Sequence, residues 1–169
     1  RTWEIDMAGA QGEAVLEHGA EVAGGAISTL EHCASMLELT TGSVYTAPSQ
    51  AMGGGTIGQH VRHALDHFAA AITTAREPID YDSRDRGTSI ETDPASARAL
   101  IQHLIGQLRE KSAEDLHNSV QVRVMLSGDG QCAVLGSTLE RELAFASHHA
   151  IHHHAMIGAI AQELGMQTP

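Results

Sequence analysis

The spacing of apolar residues predicts a mainly helical chain with one interruption. From about Gly12 to Leu39, apolar positions such as Val22, Ile27, Leu30, Ala34 and Leu37 recur at steps of three to five. That period puts them on one face of a first helix. Gly24-Gly25 weakens it locally. A loop, Thr40 to Gly55, follows and carries Pro48 and the run Gly53-Gly54-Gly55.

A second helix is expected from Thr56, where Thr56 and Gln59 match a capping box. Its stripe is Ile57, Val61, Ala64, Leu65, Phe68 and Ile72, and Pro78 bounds it. A polar stretch, Ile79 to Asp93, comes next. Asp93 before Pro94 reads as an N-cap with proline at the first helical position. The third helix should run to about His117, with Ala97, Leu100, Ile101, Leu104 and Leu108 inward.

Between Val120 and Ser137 the period drops to two. Val120, Val122, Val124 and Leu126 alternate with Gln121, Arg123, Met125 and Ser127. With Gly128-Asp129-Gly130 as the turn and Gln131 to Leu135 returning, this predicts a β-hairpin between helices three and four. Ser137 and Glu140 match another capping box. The fourth helix should run from Thr138 to about Leu164, with Gly165 ending it. Its stripe is Leu139, Leu143, Ala146, Ala150, His153, Ile157, Ile160 and Leu164. Four such helices bury their stripes by packing as a bundle.

Composition sharpens this picture. The 169 residues suit a single domain spanning 1–169, and the hydrophobic fraction of 42% suffices for a core. A net charge of -11 argues against a nucleic-acid partner and against anionic membrane surfaces. Cys33 and Cys132 form no disulfide framework and are expected to be packing residues, which fits a cytoplasmic protein. Neither a signal peptide nor a membrane-spanning run is read in the sequence.

The anomaly is twelve histidines. Imidazoles four apart on a helix share a face and can bind one metal ion. The fourth helix offers His149/His153 and His148/His152. The helical wheel puts His153 on the apolar stripe and His149 at its edge, with His148 and His152 turned away and His154 near the opposite edge. An ion buried in the bundle would take His149 and His153. The second helix offers His60, His63 and His67. Its stripe runs closer to His60 and His67 than to His63, and the wheel alone leaves the choice open. A di-iron carboxylate site is excluded, because Glu114-x-x-His117 is the sole Glu-x-x-His spacing and falls at a helix end.

Two segments resemble the DinB/YfiT-like superfamily. Thr56-Ile57-Gly58-Gln59-His60-Val61-Arg62-His63-Ala64-Leu65-Asp66 is similar to its second-helix pattern, in which a Ser or Thr cap precedes a metal-ligating histidine by seven residues. His149-Ala150-Ile151-His152-His153 is similar to its HxxHH segment, whose first and last histidines are ligands. The resemblance implies an up-down-down-up four-helix bundle and a divalent metal ion held by His63, His149 and His153. It also implies frequent homodimers and, in some relatives, transfer of a low-molecular-weight thiol. The chain departs from the common HExHHRGQ pattern at Ala150, His154, Ala155 and Met156. Its segment from Tyr81 to Asp93 resembles an uncharacterised subgroup.

The leading expectation is therefore a metal-dependent thiol S-transferase acting on a small molecule. Metal-dependent hydrolysis and a non-catalytic, stress-associated metal-binding protein are the alternatives. Zinc or nickel heads the metals, with iron and manganese also compatible with imidazole. Arg84 and Arg86 are candidates for holding a substrate carboxylate, and their stretch is expected to fold back over the metal site. Asp66 either orients a ligand or is exposed.

Overall fold

The computed structural model describes residues 7–73, 78–83 and 85–166, with side chains from residue 18 onward. Four long helices carry the expected stripes: α1 (Met7–Glu38), α3 (Ile57–Ile72), α5 (Pro94–Glu110) and α7 (Leu139–Glu163). Short helices α2 (Gly42–Tyr45), α4 (Ser89–Thr92) and α6 (Ala113–His117) lie in the connections. Three strands complete the chain: β1 (Ile79–Asp80), β2 (Ser119–Met125) and β3 (Cys132–Thr138).

Side-chain contacts fix the helix directions. Val22 and Thr29 of α1 face Ala144 to Ile151 of α7, and His32 meets His154, so these helices run parallel. On α3, His60 meets His153 while His67 meets Phe145, so α3 is antiparallel to α7. Arg98 of α5 donates to the Leu37 carbonyl at 3.3 Å and Arg109 pairs with Glu31 at 3.3 Å, making α5 antiparallel to α1. The order is up, down, down, up, with α1 and α3 each packed on both α5 and α7. The stripes meet in one core that includes Leu30, Leu37, Leu65, Phe68, Leu104 and Leu143. Burying each such side chain fully contributes roughly 1.5–3 kcal/mol.

The capping signals hold at the bundle's key helix starts. Thr56 accepts from Gln59 N at 3.1 Å and Gln59 returns to Thr56 N at 3.2 Å. Asp93 accepts from Ala95 N and Ser96 N, both at 3.0 Å. Two boundaries differ from expectation. The third helix stops at Glu110, and α6 starts anew from Ser112. Ser112 and Asp115 exchange a reciprocal capping box there, which favours a fresh N-terminus over a continuous helix. The fourth helix is capped by Thr138, which accepts from Arg141 N, rather than by Ser137. Ser137 is still paired in β3 opposite Val120, and its hydroxyl donates to Glu142 at 2.5 Å.

The hairpin forms as predicted, with Val122 opposite Leu135 and Met125 opposite Cys132. Gly130 has φ 89, the left-handed conformation that suits glycine in a tight turn. β1 adds to β2 in parallel, pairing Ile79 with Val122. That ties the polar stretch after α3 to the hairpin. Val120 and Val122 are buried, while Val134 and Leu135 of the outer strand are exposed. Cys33 packs in the core, but Cys132, at the tip of the outer strand, is exposed rather than packed. Among the described residues no helix is long and apolar enough to cross a membrane.

Candidate metal centre

The centre lies where α3 crosses α7. Because the helices are antiparallel, inward residues pair in reverse order. His60 meets His153, His63 meets both His149 and His153, and His67 meets His149. The Nε2 atoms of His63 and His149 are 3.1 Å apart. The rings of His63 and His153 have centroids 4.6 Å apart, as do those of His149 and His153. His60 and His153 face each other through their Nδ1 atoms at 3.0 Å.

Potential ligand atoms of His63, His67 and His149 all lie within 4.8 Å of one another. His153 touches two of those rings without belonging to that group. His67 makes its Nδ1 bond, 3.0 Å, to the carbonyl oxygen of His63. A carbonyl only accepts, so His67 carries a proton on Nδ1. The His67 ring is stacked between Tyr81, 4.9 Å away, and His149, 3.9 Å away. Tyr81 donates to Glu142 at 2.8 Å; that carboxylate is fully buried and also takes bonds from Ser137 and Arg141. Burial and then the Glu142 bond push the Tyr81 phenol far above its usual range.

The other histidines of α7 fall where the wheel put them. His148 and His152 are exposed. His154 is half-buried against His32 of α1. Burial, followed by the neighbouring imidazoles with His149 first, brings the His153 pKa down to about 3. Burial and His32 bring His154 down to about 4, and burial with His152 lowers His60. These rings are therefore held neutral, the form that coordinates metal.

A cleft of about 280 Å³ opens onto the cluster. Met52 and Gly55 of the loop, His60 and His63 of α3, His153 of α7, and Arg86 line it. The loop is tied to α7 by the Glu163 carboxylate, which accepts from Gln50 N at 2.9 Å and from the Ser49 hydroxyl. Arg62 also lines the cleft. It is 8% exposed and bridges Asp66 at 2.7 Å and Glu91 at 2.9 Å. Asp66 is thus half-buried in an ion pair rather than simply exposed. A larger hollow of about 430 Å³, beside Asp66, Asp80 and Asp85, contains none of the histidines.

Position 58 brings the Arg86 segment in. A β-carbon there would stand 2.0 Å from the Glu91 carbonyl, so only glycine lets α3 and α4 approach this closely. Tyr45 adds a bond from its hydroxyl to the Ile90 carbonyl at 2.7 Å.

The structure thus brings His63, His149 and His153 together, and Arg86 lines the same cleft as His63 and His153. Arg84 lies outside the described residues. Sequence reasoning passed over the stacking of His67 on Tyr81 and the pairing of His60 with His153. The signal for both was present, since His60 and His67 lie nearer the apolar stripe of α3 than His63 does.

Fit to a metal ion can be judged from the nitrogen spacing. A tetrahedral ion with metal–nitrogen bonds of about 2.05 Å holds its ligand nitrogens about 3.3 Å apart. The 3.1 Å between His63 and His149 is close to that edge length. The donor set is all imidazole, which suits zinc, nickel and iron.

No protein-family model matches the chain. It is 34% identical over 92 residues to FK506-binding protein 5 of Rhizopus delemar, a match covering 54% of this chain and 24% of that protein. The match thus spans about a quarter of that relative's length. Among solved structures it is similar to YfiT from Bacillus subtilis, described as a probable metal-dependent hydrolase with an unusual four-helix bundle topology. The two share 19% identity, with a TM-score of 0.62 over 99% of this chain and 94% of that one. At that identity the likeness speaks for the fold alone: the chain has a four-helix-bundle fold like that of YfiT.

Proposed function

We propose that the protein is a divalent-metal-dependent enzyme acting on a small anionic substrate, with His63, His149 and His153 as the metal ligands. The observation that carries this is the 3.1 Å approach of His149 to His63, which lines a cleft together with His153 and Arg86. His153 is preferred to His67 as the third ligand because it lines the cleft, where a substrate reaches it. His67 sits behind, stacked on Tyr81. Three neutral imidazoles leave the ion its full charge and at least one open position, at which a thiol or a water is activated at neutral pH.

Arg86 holds a carboxylate of the substrate, since a guanidinium matches that group with two parallel bonds. Arg62 is committed to Asp66 and Glu91, and the substrate contact is left to Arg86. The leading reaction is transfer of a small carboxylate-bearing thiol to an electrophile. Hydrolysis is the second reading, favoured by the likeness to YfiT and its description. Elemental analysis of tag-free protein, followed by thiol-transfer and hydrolysis assays with the metal found, decides between them. Bound metal with thiol turnover supports the first reading and hydrolysis alone the second. Metal without either reaction leaves a metal-binding protein, and no metal overturns the proposal.

A further inference from the structure

We infer that His60 is an anion-binding residue of the cleft, whose donor proton is set in place when His153 takes the metal. The inference rests on the reading above that His153 is a ligand. Nδ1 of His60 and Nδ1 of His153 are 3.0 Å apart. Between two neutral imidazoles one Nδ1 must carry the proton and the other the lone pair. That leaves two arrangements. If His60 donates, His153 carries its proton on Nε2 and cannot ligate through it. If His153 donates, its Nε2 lone pair is available to the ion, and His60 is left with its proton on Nε2.

Metal binding through His153 therefore selects the second arrangement. It is the usual outer-shell bond of a metal-bound histidine, made here to another histidine instead of a carboxylate or carbonyl. Its consequence lies in the cleft. His60 lines it together with Arg86, and its Nε2 lies beside Gly55, where a β-carbon would come within 3.3 Å. An N–H there, in the cleft that Arg86 also lines, is a second donor for the same anionic group. The ligand class is a small carboxylate that reaches the ion with its reactive end, such as a mercapto acid. A metal-free protein has no reason to favour that arrangement, so the anion site is completed by the metal.

A second metal ion at the His60–His153 pair is the competing use of these residues. It is disfavoured because Arg86 lines the same cleft and, among the described residues, no carboxylate lines it.

Imidazole tautomers can be read directly from long-range proton–nitrogen correlation spectra of uniformly nitrogen-15-labelled protein, with and without one equivalent of zinc. With zinc, Nε2 of His63, His149 and His153 should show the shift of a metal-bound nitrogen, and His60 should carry its proton on Nε2. A zinc-bound protein in which His60 keeps its proton on Nδ1 overturns the inference and leaves the metal reading intact. Zinc bound with His153 unshifted overturns the inference and the choice of His153 as the third ligand. Zinc that shifts no imidazole overturns the metal reading itself, and this inference with it. As a second measurement, mercaptoacetate and its neutral counterpart 2-mercaptoethanol can be titrated into the cobalt-substituted protein. His60→Leu should weaken mercaptoacetate by about tenfold, the usual worth of a hydrogen bond to a charged group, and leave 2-mercaptoethanol unchanged. Equal effects on both thiols, or none, or no binding of mercaptoacetate to the unmodified protein, refute it.

Discussion

Nε2 of His63 and Nε2 of His149 stand 3.1 Å apart across the α3–α7 interface. Each comes from a different helix, and neither helix could place both. An ion held there links the two helices. His63→Ala or His149→Ala should therefore lower metal affinity on the order of a hundredfold or more, since even outer-shell losses cost ten- to a hundredfold. Both residues are half-buried, so circular dichroism should show an intact helical protein. Wild-type metal content in both variants would dismiss the site.

His67 and His153 make opposite predictions. His153→Ala should lose the metal. His67→Ala should keep it at one equivalent but lower the melting temperature, because it deletes a 5% exposed ring stacked on Tyr81 and His149. Metal lost from the His67 variant and retained by the His153 variant would move the ion to the deeper group of His63, His67 and His149.

Arg86→Gln should leave metal content unchanged and weaken mercaptoacetate about tenfold, as expected for one charge-assisted contact. Undiminished binding would return the segment around Arg86 to the role of a connector.

Gly58→Ala tests the approach of α3 to α4. The new β-carbon would lie 2.0 Å from the Glu91 carbonyl oxygen and 2.8 Å from the Tyr45 ring, and backbone cannot yield as a flexible side chain does. A loss of about 1–3 kcal/mol in urea unfolding is expected. Glu91 also holds Arg62 and accepts from Gly87 N at 3.1 Å, so the displacement should reach Arg86 and weaken anion binding as well. Gly106→Ala is the control. It sits exposed in α5 with nothing within 4 Å of its added carbon, and should stabilise by about 0.5–1 kcal/mol.

Local signals made much of the fold legible. The reciprocal bonds of Thr56 and Gln59, the Asp93-Pro94 start and the alternation from Val120 onward are each written in a few adjacent residues. The stop at Glu110 was legible in principle, because Ser112-x-x-Asp115 is a capping box, but an unbroken apolar period masked it. β1 was not legible. Two residues make a strand only because β2, some forty positions later, offers an edge. The site was legible as far as helix faces go. The wheel turned His149 and His153 inward, and both meet histidines of α3. It could not rank His60, His63 and His67, because α3 touches two neighbours and all three rings lie within its combined inward arc. The role of His60 depends on which nitrogen meets which, and spacing along a chain carries no such information.

Acid should destabilise the metal-free protein before any carboxylate is involved. His153 and His154 have folded pKa values near 3 and 4, below the ordinary 6.5. As pH falls below about 6.5 the unfolded chain takes up protons at these positions while the folded one does not. The unfolded state then binds more protons, so stability rises with pH in this window and falls as the solution is acidified. The slope is at most about 1.4 kcal/mol per pH unit for each histidine, and less for the half-buried His154. The loss from His154 ends near pH 4 and that from His153 near pH 3. The lowered carboxyls of Asp93, held by Ser96 and the helix N–H groups, and of Glu163, held by Ser49 and Gln50, add theirs only at lower pH. Urea unfolding of chelator-treated protein at pH 7.5, 6.5, 5.75 and 5 isolates the histidine window. Stability should fall steadily below pH 6.5, and His154→Leu should make that fall shallower by removing one of the lowered groups. A stability that is flat from 6.5 to 5 would mean that these rings accept protons in the folded bundle, and the neutral cluster would have to be given up.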